Sequence, residues 1–350
     1  MGISNVFECA YNKNMKAEDK AKLKKQADSD RKRAIDEAKV GEYVSASFHA
    51  ASALRSYSKL SDSEKIQELK KLVVEYNSKA EPLTGHKIEV PLTKEMQDEF
   101  QKLLDSYSSK GTLAENLYHI AKSRTLLPRL AEARKNAKNI RPITAQLATH
   151  MQLGDNGHVA SYDDFDGTWL NENYGFQVSL TMSILDNATA KLIEKKQLTR
   201  EALMDILLGK KVYTSDQLIK LDAALERRFE DDYFSAIHIL TPLIENLFMH
   251  ISGLVGLDTI TFNGKSTSTR NKNLSSDILS SKEYQDMWGE DFCFLLSFFL
   301  YDPTAHRFRH KVAHGDIKMS ECNYSTFNML FYIVLRMTMM VEVNEVEVEV

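Results

Sequence analysis

The chain has 350 residues, 43% hydrophobic and 27% charged, with 45 Lys and Arg against 49 Asp and Glu for a net charge of −4. That length fits two domains of ordinary size, and the composition excludes a wholly disordered or collagen-like protein. Residues 1–140 hold 26 basic against 20 acidic side chains and residues 141–350 hold 19 against 29, so binding to a polyanion has to come from local basic patches, with the first half the more basic.

Only 14 Gly and 6 Pro punctuate the chain, and between them apolar residues recur three and four apart, which predicts an all-α protein. Residues 15–40 are rich in Lys, Asp, Ala and Glu, as in a solvated helix or a loosely held arm. Amphipathic spacing predicts helices over 42–57, 63–79 and 94–108, and a further one over 112–139 interrupted at Pro128. The stretch KSRTLLPRLAEARKNAKNIR (122–141) sets seven basic residues, Arg134 and Lys138 among them, against the single acid Glu132. A stripe of that density can track phosphates, and it can equally be a solvated face. A helical N-terminal domain over 1–153 is the expectation.

GDNGHVASYDDFDGTWLNENYG (154–175) concentrates Gly, Asp and Asn and predicts a loop or short hairpin over 154–176, linking the two domains. Asp163, Asp164 and Asp166 lack the Gly and Glu spacing of a calcium loop. Helical patterning resumes at 177, through 198–210, into a long stretch from Ser215 to Gly253 with Pro242 as a candidate kink. The polar loop 262–277 carries Lys265, Arg270 and Lys272 with no acid before Asp277, the makings of a phosphate clamp. An apolar helix follows near 286–301. The ending VEVNEVEVEV alternates apolar and acidic residues with the period of a strand.

Cys9, Cys293 and Cys322 are odd in number and unpaired in spacing, which speaks against a disulfide scaffold and for a reducing, cytoplasmic setting. The N-terminal MGISNVFECAYNKNMK lacks a basic region followed by an apolar one, and Val6 stands where a myristoylation signal has Ser or Thr. The longest apolar run of the chain, Phe292–Tyr301, is half of the ~20 residues a bilayer span needs. Neither export nor a membrane is expected.

The chemistry concentrates in Asp302-Pro303-Thr304-Ala305-His306-Arg307-Phe308-Arg309-His310-Lys311-Val312-Ala313-His314-Gly315. Asp before Pro predicts a helix start and Gly315 a stop, giving a helix of about three turns between two apolar ones. Three readings compete. The helix can simply expose a cationic face. His306, His310 and His314, at i, i+4 and i+8, can form a metal stripe, although no carboxylate joins them. The third reading pairs Arg309 with His314, which on an ideal helix diverge by about 140°, so that a helix end or a second subunit has to complete the site.

Arg309, His310, three residues and His314 resemble the motif of the HEPN superfamily: Arg, then Asn, Asp or His, then three residues and His. FEDDYFSAIHILTPLIENLFMHISGLVGL (229–257) resembles the first long helix of such a domain, with Glu245 facing the core, and NYSTFNMLFYIVLRMTMM (323–340) resembles its packing helix. The likeness covers residues 177–342, with His at 310 in place of the commoner Asn. It implies a C-terminal HEPN-like bundle acting as a metal-independent ribonuclease, in a homodimer whose motifs face each other. His314 would transfer protons and Arg309 would stabilise phosphoryl charge, while His310 would orient and Glu245 would hold Arg309. Arg307, Lys311, Lys265, Arg270 and Lys272 would bind RNA, without a cofactor. Relatives of this type act as toxins or abortive-infection effectors, which adds a neutralising or sensor protein to the expected partners. Some family members bind RNA or nucleotides without cleaving them, so a non-catalytic scaffold is the rival. His238 and His250 read as ordinary core or surface histidines.

Overall fold

A computed structural model of the chain describes residues 17–79, 93–139, 151–153, 159–162, 165–262 and 268–341. It is all-helical apart from two two-stranded antiparallel hairpins, and it divides into two compact units: residues 1–90 with 142–168, and residues 91–141 with 169–350.

The first unit is built on α1 (Ala17–Lys39), α2 (Tyr43–Leu60) and α3 (Ser63–Lys79), with short turns bringing consecutive helices alongside one another. The expected solvated helix at 15–40 is α1. It buries only Ala27, Asp30 and Ala34, and α2 buries Ala46, Ala50, Ala51 and Ala53, so small side chains make up much of this core. Buried Asp30 accepts hydrogen bonds from Gln26 (3.1 Å) and Ser52 (2.8 Å), which offsets the cost of burying its charge. A hairpin pairs β1 (Met151–Leu153), which precedes the stretch 154–176 read as a loop or short hairpin, with β2 (Val159–Tyr162) inside it, Met151 standing opposite Tyr162.

The rest of that expected linker is helix: α7 runs from Phe165 to Glu194. Asp, Asn and Gly residues mark a loop only when tertiary contacts do not outweigh their local preference, and here Tyr174 is fully buried against Phe294 and Phe298. Residues expected in the N-terminal domain also belong to the second unit. They form α4 (Lys94–Ser106), α5 (Leu113–Lys122) and α6 (Leu130–Asn139), and Leu104, Leu117, Ile120 and Leu130 join the core of the later helices.

The second unit continues with α8 (Arg200–Leu208), α9 (Ser215–Phe229) and α10 (Tyr233–Leu254). The expected single stretch from Ser215 to Gly253 is broken between these last two, where Asp231 adopts a left-handed φ of 59° and Asp232 caps α10 by accepting the Ser235 N–H at 3.0 Å. Pro242 stays inside α10. After β3 (Ile260–Phe262) and β4 (Thr269–Asn271) come α11 (Lys282–Trp288) and α12 (Glu290–Leu296), the latter prolonged by a π-helical turn over Ser297–Tyr301. The short α13 (Phe308–His314) and the long α14 (Tyr324–Met340) complete the unit. Every residue of α14 from Thr326 to Met339 is buried, and the helix packs against α10 and α5. Among the described residues α10 is the helix long and apolar enough to cross a membrane by length and composition, yet half of its most apolar window is buried inside the unit.

Candidate functional site

The Asp302–Gly315 stretch folds differently from the expected three-turn helix. Ala305 N–H bonds back to the Asp302 carbonyl (3.2 Å), a tight turn with Pro303 in the position where its fixed φ fits. The Asp302 carboxylate accepts the Thr304 N–H (2.7 Å) and hydroxyl (2.6 Å) and the Asn171 amide (3.2 Å). It therefore closes a turn instead of capping a helix. Arg307 then takes a left-handed φ of 54°, and α13 begins only at Phe308. At the other end Gly315 is left-handed at φ 72°, and the Asp316 N–H closes the helix onto the Lys311 carbonyl at 2.8 Å.

This geometry separates the three histidines. His306 lies before the helix, with its ring 4.7 Å from Phe299 and parallel to Phe308 at 5.7 Å. It belongs to an aromatic cluster, so the three histidines do not share the one helix face that the metal reading needs. His310 and His314 do share a face of α13, both exposed, their rings parallel (4°) with centroids 6.0 Å apart. The His310 pKa is lowered, first by partial burial of the ring and then by the positive fields of Arg307, His314 and Arg309.

Arg309 turns the other way, toward α10. Its Nε donates to Glu245 Oε2 at 2.6 Å, both side chains about one third exposed. That bond holds the guanidinium pKa above its ordinary value. The expected support of Arg309 by Glu245 is thus a direct contact, while no hydrogen bond to a described residue occupies the terminal nitrogens. Tyr301 was not singled out by sequence because it closes an apolar run. Its hydroxyl is buried without a hydrogen bond of good geometry, and burial together with the neighbouring Glu245 carboxylate raises its pKa.

The expected phosphate-binding residues are not gathered here. Lys311 points into the unit: its side chain is 8% exposed, and its ammonium pairs with Glu321 at 2.6 Å. With Phe308, three residues earlier, it forms the inward face of α13. Its assignment to RNA is therefore corrected. Arg270 contacts Asp277 (3.4 Å), a carboxylate of its own loop, and Lys272 contacts Asp258 (3.1 Å), which stands just ahead of β3. Arg134 pairs with Glu290 at 2.8 Å. Lys138 and Arg307 are exposed. His238 hydrogen-bonds to the Phe234 carbonyl, and His250 is half-buried on the same helix. Lys265, Arg141, Asp163, Asp164, Cys9 and the Val-Glu ending lie outside the described residues. The partners Glu321, Asp258 and Glu290 had no signal in the sequence, since each pairing is a product of chain reversal.

The chain matches no known protein-family model, no curated protein and no solved structure.

Proposed function

We propose that the second unit is a metal-independent endoribonuclease of the HEPN type, acting in a reducing, cytoplasmic setting as a toxin or abortive-infection effector. The observation that carries this reading is the helix α13 itself. It ends at His314, exposes the His310–His314 pair, and holds Arg309 by its Nε against Glu245.

The residue types suit the chemistry. RNA supplies its own nucleophile in the 2′-hydroxyl, so the protein needs a proton acceptor, a proton donor and a cation at the phosphorane. His314 serves proton transfer at the 2′-hydroxyl or the leaving 5′-oxygen. Arg309, whose terminal nitrogens make no hydrogen bond to a described residue, stabilises charge on the phosphoryl oxygens. His310, kept neutral to lower pH than usual, is an orienting neighbour that accepts or donates a hydrogen bond. Since Arg309 and His314 diverge by about 140° on one helix, a second copy presenting its own α13 across a two-fold axis completes the pair.

The test is cleavage of a single-stranded RNA by the full chain in EDTA. The expected products carry 2′,3′-cyclic phosphate and 5′-hydroxyl ends, and His314→Ala and Arg309→Ala abolish them. Activity that requires added Mg²⁺ or Zn²⁺, or that survives both substitutions, overturns the proposal.

The alternative is a non-catalytic RNA- or nucleotide-binding scaffold. The pairing of Arg134, Arg270, Lys272 and Lys311 with carboxylates counts against a preformed phosphate track under either reading. Under that reading RNA is retained intact, and His314→Ala leaves binding unchanged.

A further inference from the structure

Arg336 sits near the end of α14 with only 8% of its surface exposed. Its Nη1 donates to the Ala121 carbonyl at 2.7 Å and approaches the Tyr332 hydroxyl at 3.5 Å, and the guanidinium lies 5.7 Å from the centre of the Phe292 ring. No carboxylate pairs with it among the described residues. Of the other buried cations of the unit, Lys311 has Glu321, whereas Arg228 lies against the Phe229 and Tyr324 rings and, like Arg336, has no ion pair among the described residues. Taking a guanidinium out of water is costly unless its charge and its N–H groups are matched. Here Nε and Nη2 have no partner among the described residues.

The side chain lines a cavity of about 50 Å³ whose other walls are Met287, Trp288, Phe292, Met340 and Val341. Trp288 Nε1 is engaged by the Ser252 hydroxyl at 3.1 Å, which leaves Arg336 as the one lining side chain with donors to offer. Met287 and Met340 are both more than 40% exposed, so the mouth is framed by flexible, adaptable side chains.

We propose that this cavity is a carboxylate-binding site, with the Arg336 fork gripping the two oxygens and an aliphatic tail lying against the apolar walls. A phosphate dianion calls for more than one cation or several donors, and the walls supply none. A single water gains no second polar partner from Met, Phe or Val. A planar monoanion with an apolar tail matches both the fork and the lining. The chemistry has two possible sources: a free short-chain monocarboxylate, or a glutamate of the chain itself, since Glu342 directly follows Val341 in the cavity wall. This inference does not depend on the ribonuclease reading.

The test is calorimetric titration of the full chain with hexanoate and with hexanol, the site being located by the methyl spectra of ¹³C-labelled methionines. Hexanoate is expected to bind at least ten-fold more tightly than hexanol and to shift the Met287 and Met340 signals. Arg336→Met is expected to bring hexanoate down to the level of hexanol. Should that variant not fold, Met340→Trp fills the mouth with Arg336 in place and removes binding in the same way. In a chain with Glu342, Glu345, Glu347 and Glu349 changed to Gln, unchanged hexanoate affinity supports a free ligand. A gain of ten-fold or more there also supports the carboxylate site and names the chain's own glutamates as its occupant. Hexanoate binding no tighter than hexanol in both wild type and this variant, or shifts lying away from Met287 and Met340, overturns the proposal.

Discussion

Removing the Lys311 ammonium leaves the Glu321 carboxylate without its cation in a largely buried place, and breaking such a pair from one side is costly. Lys311→Ala is therefore expected to lower unfolding stability by about 3 kcal/mol, read from the urea midpoint, while RNA affinity measured on folded protein stays within two-fold of wild type. Among the described residues two histidines have pKa values below their ordinary 6.5: His119, through burial and then Lys110, and His310, through burial and then Arg307, His314 and Arg309. Below pH 6.5 the unfolded chain binds these protons more readily than the folded one. Their contribution to stability is accordingly present above that pH and lost as pH falls through it. The carboxylates with lowered pKa, Asp222 and Asp277 among them, lose theirs only in more acid solution. Between pH 7 and pH 5 the urea midpoint should fall, and His119→Phe combined with His310→Asn should flatten the fall. A midpoint independent of pH in wild type sinks this account. At this scale the sequence exposed Arg309, His310, His314 and Glu245, because the motif and one acid on an apolar helix are visible as letters. It could not show that Lys311 turns inward, since direction depends on where the helix starts, and that is set by the conformation of Arg307.

α13 is bracketed by left-handed residues at both ends, Arg307 at φ 54° and Gly315 at φ 72°. An L-residue with a Cβ pays about 1 kcal/mol there and glycine does not. Arg307→Gly is expected to raise stability by about 1 kcal/mol and Gly315→Ala to lower it by about as much, both by chemical denaturation. A Cβ at Gly315 would meet nothing within 4 Å, so this second loss isolates the backbone term. The same Arg307→Gly variant tests the side chain: if Arg307 helps to hold RNA, the more stable protein binds it more weakly. Most helices were legible because buried apolar residues recur at the helical period, as in α3, α5 and α9. The break at Asp231 was hidden because Pro242 is the louder signal, and the exposed, solvent-side position of that proline lets α10 continue through it. The start of α7 was hidden under polar residues that favour turns when considered alone.

For the whole molecule, periodicity predicted that residues 94–139 are helical but not which core they join, because amphipathic faces do not name their partners. Contacts such as Arg336 with the Ala121 carbonyl and Leu130 N–H with Asp291 join positions more than 150 residues apart. If the paired motifs of two copies form one site, activity should rise with dimerisation across a dilution series followed by sedimentation. A monomer with full activity at micromolar concentration contradicts the shared site. RNA affinity should also fall steeply with salt, with each lost phosphate contact flattening the slope by roughly one unit.

The burial of α14 on every side has a consequence in time. Among the helices of its unit α14 is the last to leave a ribosome, yet α5 and α10 pack directly on it. Without it their inward faces have no partner, and the Glu245–Arg309 contact has no rigid α10 to stand on. A nascent chain stalled before Asn323 should be cut by protease throughout residues 94–314, whereas one extended well past Met340 should resist. Synthesis itself then acts as a safety catch: the site of the proposed ribonuclease is not assembled until the ribosome has finished reading the message for α14.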